Sequence, residues 1–160
     1  RVPLLVKIAP DLADEDVLEV ADMAMTTGLD GIIATNTTID RSGLVTPAAE
    51  VEALGAGGLS GRPLAGRSLE VLGLLAGRVG DSLTLVSVGG IWSAHDVAVR
   101  LAAGASLVQA YTGLVYGGVG LVGEIKRDLA ALMARDGFAT IEAAVGTDSK
   151  RWLDQEDGNR

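Results

Sequence analysis

Four times between residues 4 and 110 a short apolar run breaks off into glycine or polar residues, and each time a segment with helical spacing follows. The runs are LLVKIA (4–9), GIIAT (31–35), LTLVSV (83–88) and ASLVQA (105–110). No other feature narrows the fold as much. Strands that read as near-continuous apolar runs are buried on both faces, and strands joined by helices run parallel with right-handed crossovers. The intervening segments carry helix signals. Residues 13–27 open on Asp14, Glu15 and Asp16, where the helix dipole favours acids, and stop at Gly28. A second helix is expected over 66–79 with Gly80 as its stop, and a third begins at a capping box of Ser93 and Asp96 and runs through Leu101. The last spans 120–135. Residues 36–65 read as one long loop, a length that in a compact domain points to function. Residues 1–135 therefore form the α/β body, and 136–160 a polar tail with a short helix around 140–145.

Two architectures accept four βα units: an open doubly wound sheet, or part of a (β/α)8 TIM barrel. A whole barrel takes roughly 250 residues, and the chain has 160. Four units make about half a barrel, and a start at Arg1 instead of Met accords with a partial chain. The net charge of −8 argues against nucleic acid or an anionic membrane as a bulk partner, so an anionic ligand must be met by local groups. With no cysteine and only His95, thiolate chemistry and multi-histidine metal sites are ruled out. The uncharged run 101–123 is long enough for a membrane span, but glycines from Gly104 to Gly120, with Ser106, Gln109 and Thr112, punctuate it. It reads as helix end, strand and loop.

In both architectures ligands gather where the strands end. Those ends carry Lys7, then Thr35-Asn36-Thr37-Thr38, then Gly89-Gly90, then Tyr111-Thr112-Gly113. Lys7 interrupts an apolar strand near the C-terminal end that Pro10 closes, and it either extends its ammonium to water or waits for an anion. A glycine pair lets backbone approach a ligand and offers N–H donors suited to phosphate, although such pairs also make plain turns. Asn36 presents both a donor and an acceptor, and the adjacent threonines add hydroxyls; the same residues also cap turns. Tyr111 and Trp92 also fit packing roles, and His95, in the first turn of a helix, reads as a surface residue. Together the four ends favour a phosphate-bearing ligand more than any one does.

The motifs VKIAPDL (6–12), ATNTTIDR (34–41), GGLSGRPL (57–64), SVGGI (87–91) and AGASLVQAYTG (103–113), with the GF and VGTD of the tail, resemble dihydroorotate dehydrogenase. GGLSGRPL with NTTIDR points to the class 2, quinone-linked branch. The resemblance implies a (β/α)8 barrel carrying FMN that oxidises dihydroorotate to orotate in pyrimidine synthesis. Electrons would pass to a quinone, and the full-length protein would sit at the cytoplasmic face of the cell membrane, with the portion present here soluble. By resemblance Lys7, Thr35, Gly61, Gly90, Tyr111 and Thr112 contact FMN, the last three around its phosphate, while Asn36 and Thr37 hold the substrate.

The family's catalytic serine base, further substrate asparagines and membrane-contacting helices precede the segment that matches. Ser42, Ser60 and Ser87 do not correspond to that base, so no catalytic residue is assigned and the chain alone is expected to be inactive. Two other functions remain open at this level: a phosphate-binding flavin barrel with different substrate loops, and a non-catalytic half-barrel that self-associates through its open edges.

Overall fold

The strands pair in the order in which they occur in the chain. The computed structural model describes residues 1–148, and in it β1 (Leu5–Ile8), β2 (Gly31–Ala34), β3 (Thr84–Val88) and β4 (Leu107–Gln109) form one parallel sheet in the order β1-β2-β3-β4. This order decides between the two architectures. A doubly wound sheet reverses its strand order at a switch point, whereas a barrel adds each strand beside the last. The sheet is an arc of a (β/α) barrel.

The helices are α1 (Asp14–Thr27), α2 (Ala48–Ala53), α3 (Ala65–Val79), α4 (Ala94–Ala102), α5 (Thr112–Gly117), α6 (Leu121–Arg135) and α7 (Ile141–Ala144). Val17, Ala21 and Ala24 of α1 and Val71, Leu72 and Leu75 of α3 pack with Ile8, Ile32 and Leu85 from the sheet. Val17, Val71, Leu72 and Leu75 have no exposed surface; burying each contributes about 1.5–3 kcal/mol. A second cluster joins Ile91 with Val97 and Leu101 of α4, Leu129 and Met133 of α6, and Ala144 of α7. The capping box at the start of α4 forms as expected, with the Ser93 hydroxyl accepting from the Asp96 N–H and the Asp96 carboxylate accepting from the Ser93 N–H.

Three sequence expectations need correction. First, the strands are not all buried on both faces. Register puts Lys7, Ile33, Val86 and Leu107 in one row across the sheet face turned away from α1 and α3. Only Val86, in the middle, is buried there, at 4% exposed; Leu107 is 59% exposed and Lys7 also lies in the open. Both occupy edge strands, so Lys7 is not the buried ammonium that its apolar neighbours suggest. Second, the long loop contains α2, and an antiparallel bridge between Thr38 and Leu59 pins its two ends together. Third, the polar end of β4 turns directly into α5. Residues 149–160, the remainder of the expected tail, lie outside the described residues. No helix among the described residues is long and apolar enough to cross a membrane.

Candidate functional site

A cleft of about 510 Å³, open mouth included, lies at the C-terminal ends of the four strands. Each strand end contributes to it because parallel strands in register stop at the same level. Its lining contains all eight residues that the resemblance assigns to cofactor or substrate, Lys7, Thr35, Asn36, Thr37, Gly61, Gly90, Tyr111 and Thr112, whereas Thr38 of the same strand end is outside it and bonds Asp11. They come from separate stretches of chain, and the fold brings every one of them to a single place.

Backbone pairing sets the floor. The Thr35 N–H donates to the Val88 carbonyl at 2.9 Å and the Asn36 N–H to the Ile8 carbonyl at 2.7 Å, so the NTT segment is fixed between β1 and β3. Thr35 is 1% exposed, and its hydroxyl has no hydrogen-bond partner among the described residues. A buried hydroxyl left unpaired costs about 1–3 kcal/mol, so a ligand acceptor or donor at this position would recover that loss. Asn36 and Thr37 stand at the mouth, the Asn36 Oδ1 accepting from the Thr37 N–H at 2.9 Å. Lys7 forms no ion pair with a described residue, and among the described residues the lining holds no aspartate, glutamate or histidine. The cleft therefore presents cationic, hydroxyl and amide groups and no anion.

Two glycines shape the walls. Gly61 (φ +83°) closes against Thr112, where an added Cβ would stand 3.0 Å from the Thr112 methyl, and the Ser60 and Thr112 hydroxyls hydrogen-bond at 2.8 Å. This ties the segment before α3 to the start of α5. Gly90 (φ +68°) lies against the start of α3, and a Cβ there would overlap Ala65. Beside this wall Trp92 stacks on Tyr116 with ring centroids 5.9 Å apart, and the Arg62 guanidinium stands 5.0 Å from the Trp92 ring centroid. His95 lies exposed on the outer side of α4, away from the cleft lining.

Sequence reasoning missed two contributors. Gln109 lines the cleft from β4, and a polar residue inside SLVQA was a usable signal. Arg100 gave none, since an arginine in a helix ordinarily reads as solvated. It is 3% exposed, and its guanidinium donates to Ser87 Oγ at 2.7 Å, Ser68 Oγ at 3.0 Å, the Ala65 carbonyl at 3.3 Å and the Gly89 carbonyl. Burial pushes its pKa down while nearby Asp96 pushes it up; a guanidinium stays charged at neutral pH through such shifts.

Parallel strands in chain order, helices packed against them and a cleft at their C-terminal ends define part of a (β/α) barrel. The family profile described as dihydroorotate dehydrogenase matches residues 1–133. The chain belongs to the dihydroorotate dehydrogenase family. It is 62% identical over 147 residues to dihydroorotate dehydrogenase (quinone) of Thermobifida fusca, covering 92% of this chain and 39% of that protein. With the protein of the same description from Nocardioides sp. it shares 70% identity over 118 residues, covering 74% and 33%. The crystal structure of DHODH from Eimeria tenella in complex with ferulenol superposes with a TM-score of 0.86 at 38% identity, over 92% of this chain and 39% of that one. The chain thus spans about two fifths of the length of such relatives.

Proposed function

We propose that the chain is part of an enzyme that oxidises dihydroorotate to orotate with FMN as cofactor and a quinone as electron acceptor, working at the cytoplasmic face of the cell membrane. The observation that carries the reading is the buried, unpartnered Thr35 hydroxyl in an anion-free cleft that also holds Lys7 and the two positive-φ glycines. These residues fit a flavin phosphate ester: a cation, N–H-bearing turns without side chains, and hydroxyls. Lys7, Thr35, Gly61, Gly90, Tyr111 and Thr112 would hold the cofactor; Asn36 and Thr37 would hold the substrate.

FMN, when bound, supplies the two-electron acceptor. The chain's own residues bind and orient. The Lys7 ammonium would favour an anionic ligand in the cleft that it lines. Gly61 and Gly90 admit a ligand to backbone distance. The Asn36 amide offers a donor and an acceptor side by side, the pattern that a cyclic amide such as dihydroorotate presents in reverse. No carboxylate or imidazole lines the cleft to take a proton from substrate carbon.

The test is an FMN titration of the chain, followed by the visible flavin spectrum and by quenching of tryptophan emission. Saturable binding that weakens about tenfold or more in Lys7→Ala is expected, the scale of one charge-assisted contact. A folded chain that shows no saturable binding would overturn the claim that these residues make a flavin site.

A further inference from the structure

Arg100 does not line the cleft; it stands behind the wall that Gly89 and Gly90 make. Its surroundings are unusual for a cation at 3% exposure. Every hydrogen-bond partner is neutral: two serine hydroxyls and two backbone carbonyls. No carboxylate of a described residue forms an ion pair with it. A buried charge is costly unless an opposite charge offsets it; Asp96 acts on this one from nearby, and no carboxylate among the described residues is in contact with it. The guanidinium is held in place instead, by Ser68 of α3 and Ser87 of β3, and one of its N–H groups is aimed at the Gly89 carbonyl.

That carbonyl shares a peptide plane with the Gly90 N–H. The Gly89–Gly90 bond is trans, and in a trans peptide the C=O and N–H point in opposite directions. Fixing the carbonyl on Arg100 turns the Gly90 N–H away from Arg100. The cation also polarises the peptide it binds, which strengthens the N–H as a donor. Gly90 lines the cleft, and its φ of +68° and its fit against Ala65 hold the turn in one conformation.

We infer that Arg100 is a positioning residue for phosphate recognition: from behind the wall it orients and polarises the Gly89–Gly90 peptide, so that the Gly90 N–H meets the phosphate of the flavin while a positive charge in contact with no carboxylate favours that anion. The inference rests on the flavin reading of the cleft and adds to it a residue that makes no direct contact with the ligand.

The experiment compares FMN with riboflavin, which has the same ring and ribityl chain without the phosphate. Dissociation constants for both are measured with the chain as it stands and with Arg100→Gln and Arg100→Lys, each checked by circular dichroism for native helix content. The unaltered chain should bind FMN more tightly than riboflavin. Arg100→Gln should cut that preference by about ten- to a hundredfold, the range for hydrogen bonds involving a charge, with riboflavin affinity little changed. Arg100→Lys should restore part of it, because charge is retained but the four-partner geometry is not. A preference left intact in Arg100→Gln overturns the role of Arg100 and leaves the flavin reading standing. So does an equal loss for both flavins, which would mean that Arg100 only supports the fold. If the unaltered chain binds neither flavin, the flavin reading itself fails and the inference falls with it.

Discussion

At the scale of single residues, the glycines separate into those the site needs and those it does not. Gly90 combines φ +68° with no room for a Cβ beside Ala65. Gly90→Ala should therefore lose stability by about 1–3 kcal/mol, the cost of a non-glycine residue forced into a sparsely populated region, and weaken FMN binding with it. Gly66 is the contrast: it lies in the first turn of α3, has ordinary helical backbone and has open space around its Cα. Gly66→Ala should raise stability by about 0.5–1 kcal/mol, because glycine loses more backbone entropy than alanine on entering a helix. Thermal melts of the two variants would check both signs, and a Gly90→Ala melt that matches the unaltered chain would remove the packing argument for that turn. The strand-end residues were legible beforehand because polar groups and glycines break off apolar runs, a pattern that turn chemistry and strand pairing both require. Arg100 was illegible for the opposite reason. In VAVRLAA its position on the helix says nothing about Ser68 and Ser87, which lie 32 and 13 residues away and become its neighbours only in the fold.

At the scale of elements, α1 and α3 are joined by more than their shared apolar face. Arg78 near the end of α3 grips Asp22 of α1 through two contacts of 2.7 and 2.6 Å. The hydrogen bond from Arg78 holds the Asp22 carboxyl below its ordinary value of 3.8. Because the folded value is the lower one, the contribution is present above the unfolded pKa and is lost as pH falls through the folded one. Asp22→Asn should accordingly melt below the parent at about pH 6, and the gap should close as the pH is taken below about 3.8; a gap that stays constant with pH would show that the pair's charge contributes nothing. The element boundaries that sequence missed have local causes. Ala48–Ala53 follows Pro47, a residue suited to a helix start, but so short a helix is lost among the glycines around it. Thr112–Gly117 contains two glycines, which normally argue against helix; there Gly113 is needed because a side chain would strike the Ile91 carbonyl.

At the scale of the whole molecule, one half of the sheet's environment is complete and the other is open. The helix-facing side is closed by α1 and α3, whereas Leu107 (59% exposed), Tyr111 (75%), Val115 (65%), Tyr116 (78%) and Val119 (94%) leave apolar surface around β4 and α5 uncovered. Apolar runs in a sequence report what the strands are built to bury, not whether a partner is present, which is why Leu107 read as core. Exposed apolar area of this kind marks an interaction surface or an aggregation liability. The isolated chain should bind a hydrophobic dye such as ANS and sediment in a concentration-dependent manner, and Leu107→Lys should reduce both; a monomeric, dye-silent parent would refute this. The same openness bears on chemistry. With no carboxylate or imidazole in the cleft, the chain by itself should show no steady oxidation of dihydroorotate when supplied with FMN and a quinone analogue, even if it binds the flavin. Measurable turnover would mean that a group such as Ser60 serves as the base. The strand order has a further consequence, for synthesis instead of function. β2, β3 and β4 each pair with the strand that precedes them in the chain, so each of these three finds a partner already made when it leaves the ribosome. This stretch of sheet can grow strand onto strand as the chain is synthesised.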